Sequence, residues 1–151
     1  MRIGIRRARS LRGEKGQSLL EFTFVVPMML TVVFGVIVFG VALNNYLVLT
    51  DATAVGARTL AISRGQTTDP CAATVQSIEG AAPNMKAANF KFSFLLNGTA
   101  YSGTSCSGAQ TNLVENQTAQ VTVTYPCSLK FFGFNPVPSC ILTAQTTERV
   151  Q

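Results

Sequence analysis

The hydrophobic and polar positions divide the chain into three stretches. Residues 1–16 carry no apolar run, only Ile3, Ile5 and Leu11 scattered among arginine, glycine and serine. From Phe22 to Leu43 there follow 22 residues without a charge, and the last charge before them is Glu21. As a helix that run is about 33 Å long, enough to cross the roughly 30 Å hydrocarbon core of a bilayer. The helical pattern does not stop there. Leu47, Val48, Ala54, Val55 and Leu60 recur at helical spacing while Asp51 and Arg58 take the polar side, which predicts one helix over residues 17–63, about 70 Å long. Tyr46 falls where an interfacial aromatic is expected.

Beyond this helix the period changes. Residues 64–70 read as a linker, after which Asp69 caps a short helix with Pro70 at its first position, running through Ala72–Glu79 and stopping at Gly80 and Pro83. Residues 89–96 alternate Phe90, Phe92 and Phe94 against Lys91 and Ser93, a half-buried strand. Asn97-Gly98 is a tight-turn signal with a short return over 99–101. Residues 103–110 read as a flexible loop held by Cys106; 119–125 and 139–150 read as further strands. The predicted fold class is therefore α+β. A long N-terminal transmembrane helix continues into a small exported domain, with a short helix on a three- to four-stranded antiparallel sheet and two disulfides. The segments are a basic leader over 1–16, the long helix over 17–63 with its transmembrane part at 22–43, and an exported domain over 64–151.

Charge sharpens this layout. The net charge is +5, but six of the twelve basic residues precede Gly16, and from Gln17 onward basic and acidic residues balance. Positive charge beside a span orients that end toward the cytoplasm. A nucleic-acid-binding tail is the competing reading, and the adjacent span argues against it. The apolar run exceeds the roughly 7–15 residues of a secretory signal, and no small-residue cleavage site follows it.

Cys71, Cys106, Cys127 and Cys140 all lie beyond the span, where an even number argues for two disulfides over free thiols. Of the three pairings, Cys71–Cys106 with Cys127–Cys140 is favoured because each joins neighbouring segments. Zinc is disfavoured, since there is no Cys-x-x-Cys pair and no histidine. Without histidine, Ser–His and Cys–His catalysis is excluded. Residues 103–108 have the wrong spacing for a nucleophile turn, and the sequons Asn97-Gly98-Thr99 and Asn116-Gln117-Thr118 are too short to be specific. No enzyme, cofactor, metal, nucleic-acid partner or small-molecule substrate is expected. The loop Lys130-Phe131-Phe132-Gly133-Phe134 offers three aromatics either to a partner or to the domain's own sheet.

Two features mark the span itself. Pro27 cannot donate to the Thr23 carbonyl, so a kink or local loosening is expected. Gly35, Gly40 and Gly56, the last with Ala52 at i, i+4, leave flat patches for a second helix.

A basic leader ending in Gly16, then Gln17-Ser18-Leu19-Leu20-Glu21 and a long apolar helix, resembles the type IV prepilin class of signals. With Pro27, Gly35, the Asn45-x-Leu47…Asp51-Ala52…Gly56-Ala57-Arg58 run and the Val121-x-Val123-x-Tyr125-Pro126 strand, it is similar to the TadE-like family, minor pseudopilins of tight-adherence (Flp-type) pilus systems. The resemblance implies cutting after Gly16 by a prepilin peptidase on the cytoplasmic face, with Gln17 as the first mature residue and Glu21 as the fifth. It further implies a single-pass inner-membrane protein with its C-terminal domain outside, other pilins and the assembly platform as partners, and roles in pilus assembly, adhesion and biofilm formation. Gln17 stands where major pilins of the class carry Phe, and its amine can cyclise to pyroglutamate. The alternative is an unprocessed single-span membrane protein whose exported domain binds a ligand or partner protein through the 131–134 loop.

Overall fold

The computed structural model describes residues 14–127, 135 and 137–151, with side chains from Leu19 onward. The chain forms two units, Met1–Val36 and Ile37–Gln151. One helix, α1, runs Glu14–Ile62, so it begins three residues ahead of the expected Gln17. It contains Pro27 without ending there. A proline removes one donor from the backbone ladder, and threonine hydroxyls on either side make extra local bonds: Thr23 Oγ1 donates to the Leu19 carbonyl (2.8 Å) and Thr31 Oγ1 to the Pro27 carbonyl (2.8 Å). Within Leu19–Ile62 lies a stretch long and apolar enough to cross a membrane, and its side chains are uncovered.

In the second unit α1 changes character. Leu49, Ala52, Thr53, Gly56, Ala57, Leu60 and Ala61 are buried, spaced three and four apart along one face. The buried Thr53 satisfies its hydroxyl on the Leu49 carbonyl (2.7 Å). A second helix, α2, runs Pro70–Ala81 and buries Pro70, Cys71, Thr74, Val75 and Ile78. It starts at Pro70 behind the Asp69 cap, as expected, and runs past the expected stop at Gly80 to Ala81, where the Ala82 N–H closes it onto the Ile78 and Glu79 carbonyls.

Four strands, β1 (Lys91–Leu96), β2 (Thr99–Ser102), β3 (Thr118–Pro126) and β4 (Ile141–Arg149), form one antiparallel sheet in the order β2-β1-β3-β4. Strand β1 starts two residues later than the alternation predicts. The Phe90 N–H is taken by a 3₁₀ turn over Ala87–Asn89, donating to the Ala87 carbonyl at 3.1 Å. Phe90 is buried all the same, its ring 5.7 Å from Phe92 and 5.2 Å from Tyr125. The β1–β2 turn has both central residues at positive φ, Asn97 at 46° and Gly98 at 81°, the backbone that two-residue hairpins favour.

Register sets the two faces of the sheet. Phe92 opposes Val123, Phe94 opposes Val121, and Leu96 opposes Ala119, all on the inner face. These side chains join Leu49, Leu60, Val75 and Ile78 in one buried cluster. The outer face carries Ser93 against Thr122, Thr122 against Gln145, and Thr124 against Thr143. Strand β4 ends at Arg149 because Val150 leaves the ladder. Its N–H donates to the Gln117 carbonyl (3.0 Å) and its carbonyl accepts from Asn116 (2.9 Å), while the Gln151 N–H reaches the Ala61 carbonyl (3.3 Å) at the end of α1.

Candidate functional site

Gly16 and Gln17 lie within the helical backbone of α1. Glu21 is exposed and has no hydrogen-bond or ion-pair partner among the described residues. Around it Leu19, Leu20, Phe22 and Phe24 are likewise exposed. A lone carboxylate entering an apolar surface is costly in a bilayer unless something pairs with it.

The helix glycines fall into two kinds. A methyl group placed on Gly35 or Gly40 would meet nothing within 4 Å. On Gly56 it would lie 2.4 Å from Ile78 Cγ1, 2.6 Å from Ile78 Cδ1 and 3.3 Å from Thr74 Cγ2. The flat patch at Ala52 and Gly56 therefore receives α2 of the same chain.

The C-terminal domain is fastened at Asp69, which does more than cap. Its Oδ1 accepts from the Ala72 N–H (3.0 Å) and from the Cys106 N–H (2.9 Å), and its Oδ2 accepts from the Ser105 hydroxyl. Burial alone would push this carboxyl up. The bonds from Ser105, Cys106, Ala72 and Cys71 outweigh that and hold it below its ordinary value. The Gly108 N–H donates to the Thr68 carbonyl (3.2 Å), and Ala109–Asn112 form a 3₁₀ turn with Ala109 buried. The loop expected to be flexible is thus tied down over 105–112. The ties from Ser105 and Cys106 run to a residue recognisable in sequence only as a helix cap.

The cysteines pair as Cys71–Cys106 and Cys127–Cys140, with Cα–Cα distances of 5.4 and 5.1 Å. Asp69, Cys71 and Cys106 lie close enough together to suggest a metal cluster, but both sulfurs are committed to the disulfide. A half-open depression of about 240 Å³ lies between Asn89, Lys91, Thr124 and Ile141 at one end of the sheet. Pockets that hold small molecules carry convergent polar groups, and this one offers only a lysine, an asparagine and a threonine at its rim. The aromatic loop over 130–134 lies outside the described residues.

Against known families, a model described as TadE-like protein matches residues 16–58. The chain carries a TadE-like N-terminal segment. The match opens on Gly16 and takes in Glu21, Pro27, Gly35, Gly40 and Gly56, ending at Arg58. No curated protein and no solved structure matches the chain. Among the described residues one helix is long and apolar enough to cross a membrane, and the TadE-like match covers most of it.

Proposed function

We propose that the chain is a membrane-anchored minor pseudopilin of a tight-adherence pilus system, cut after Gly16 by a prepilin peptidase and acting non-enzymatically in pilus assembly, surface adhesion and biofilm formation. The leader faces the cytoplasm and the disulfide-held domain lies outside. Its partners are the peptidase, other pilins and the inner-membrane assembly platform. One observation carries the reading: within the TadE-like segment, Gly16 stands five residues before a lone Glu21, at the step where a basic arm gives way to a charge-free helix.

Physical chemistry links cutting to assembly. Cleavage exposes an α-amine on Gln17 and removes the six basic residues of the leader, which would repel one another between neighbouring chains. The new amine of one subunit supplies what Glu21 of another lacks, a short-range opposite charge where the dielectric is low. Processing and assembly then form one switch.

Mass spectrometry of the mature N-terminus tests the cut. The expected product starts at Gln17, as the free amine or as pyroglutamate, in cells with the peptidase and not in cells without it. A chain still starting at Met1 or Arg2 in peptidase-positive cells refutes processing. The substitution Glu21→Ala is expected to leave cleavage intact and to block assembly. Normal pili from that variant would remove the pairing role.

A further inference from the structure

Opposite its buried face, α1 presents a second line of residues at spacings of three and four: Asn44, Leu47, Asp51, Val55, Arg58 and Ile62, all exposed. Solvation accounts for the charges but not for the aliphatics, of which Leu47 is 61%, Val55 44% and Ile62 51% exposed on the same line. Neither Asp51 nor Arg58 has a hydrogen-bond or ion-pair partner among the described residues. They lie seven residues apart, about 10.5 Å along the helix axis and too far to pair with each other. Asn44 precedes Asp51 by the same interval.

We propose that this stripe is a self-association face that packs against the same stripe of a second copy, parallel to it and shifted along the axis by one heptad. The parallel arrangement rests on the membrane reading above, since chains inserted by the same apolar run share one orientation. Parallel pairing in register sets Asp51 against Asp51 and Arg58 against Arg58, two like-charge contacts. A seven-residue shift sets Asp51 of one copy against Arg58 of the other and Asn44 against Asp51. The same shift brings Leu47 to Ala54 and Val55 to Ile62, so small and large apolar side chains face each other. Polar residues at heptad intervals along an apolar seam fix register in this way. A shifted contact is heterologous: Asp51 of one copy meets Arg58 of the other, so the two copies use different residues of the same stripe and no two-fold axis relates them. An antiparallel pair would also match both charges, and shared orientation in the membrane forbids it.

A photo-crosslinking residue at Leu47, in the full chain reconstituted in phosphatidylethanolamine–phosphatidylglycerol vesicles, reports the register. The expected adducts, mapped by mass spectrometry, fall on the peptide around Ala54 of a second copy. D51R or R58D alone lowers their yield about fivefold, an effect of the size that exposed ion pairs supply when attraction becomes repulsion. The double variant D51R/R58D restores it, and so does mixing the two single variants. Adducts centred on Leu47 or on Ile62, no adducts between copies, or a double variant that stays low would each overturn the proposal. Both charges are exposed, and unchanged hydrogen exchange in β1 and β3 confirms that the variants fold. The N-terminus is read separately in the same samples. Adducts at Ala54 from peptidase-positive cells with an uncut leader would refute the pseudopilin reading and leave the pairing standing; a cut leader without adducts would do the reverse.

Discussion

Gly56 is expected to be a position where adding a methyl group in mid-helix destabilises the domain. In a solvated helix Gly→Ala stabilises by about 0.5–1 kcal/mol through backbone entropy. Here the added carbon would sit 2.4 Å from Ile78 Cγ1, which is bonded directly to Cβ and cannot swing away as a chain tip would. Carbon atoms settle at about 3.5–4.0 Å, so Ile78 must retreat by roughly 1 Å. Ile78 is fully buried in the cluster that also holds Leu49, Val75 and Phe94, and close-packed interiors resist such a shift. Overpacking costs about 1–3 kcal/mol, and a contact this close with a branch carbon belongs in the upper half of that range. The net expectation for Gly56→Ala is a loss of about 1–2 kcal/mol.

A double-mutant cycle isolates the cause. Ile78→Ala alone removes the carbons that clash and is expected to cost about 2–5 kcal/mol as a cavity. In that background the methyl at position 56 enters vacated space, so Gly56→Ala should stabilise by up to about 1 kcal/mol, giving a coupling of about 2–3 kcal/mol. Urea unfolding of the full chain in detergent micelles, followed by tyrosine fluorescence with hydrogen exchange in β1 and β3 as a local check, measures all four corners. Additive effects, or a stabilising Gly56→Ala in the parent chain, would refute close approach of α2 as the reason for glycine at this position.

Two further outcomes follow from the C-terminal domain. Asp69 is held below its unfolded value, so the stability it contributes is present above an unfolded pKa of about 3.9 and is lost as pH falls through the lower folded value. Asp69→Asn keeps an acceptor for Ala72 and Cys106 but cannot titrate. A pH series of unfolding midpoints should therefore show a flatter acid limb, and an unchanged limb would refute this role. For the disulfides, sequence separations of 35 and 13 residues correspond to chain-entropy contributions of about 4 and about 3 kcal/mol. Cys71→Ser/Cys106→Ser should lower the unfolding midpoint more than Cys127→Ser/Cys140→Ser; the reverse order would show that loop length does not set the difference.

The elements that could be read from sequence were those whose signals are local and periodic. The apolar run, the alternation of Phe90, Phe92 and Phe94, the Asn97-Gly98 turn and the Asp69-Pro70 helix start each act through neighbours in the chain; the turn and the helix start formed where expected, while α1 begins three residues early and β1 two residues late. Less visible were the long-range ties. Asp69 reads as a cap, yet its bonds to Ser105 and Cys106 span more than thirty residues and convert a glycine-rich loop into a braced one. Val150 reads as the last residue of a strand, but its two backbone bonds go to 116 and 117, where Asn116 stands at φ 62°. Neither tie has a periodic signal, because each depends on where the sheet brings distant backbone.

The glycines of α1 show why a helix that passes through two environments cannot be judged from its sequence pattern alone. Gly35, Gly40 and Gly56 are equally small and equally unfavourable to an isolated helix, so sequence assigns all three the same openness to a second helix. At Gly56 the chain itself supplies that helix, since Asp69 and Pro70 start α2 only eight residues after α1 ends at Ile62. Among the described residues nothing lies within 4 Å of a methyl group placed on Gly35 or Gly40, so both positions stay open. The same reasoning applies to charge. Asp69 finds its donors within the domain, whereas Glu21, Asp51 and Arg58 have none among the described residues. Along α1, then, the small residue matched by the chain's own packing is Gly56, on the buried face, and the unmatched groups lie where a neighbouring molecule can reach them. A helix serving only as an anchor needs no such division between faces, whereas a helix that anchors and also assembles requires one.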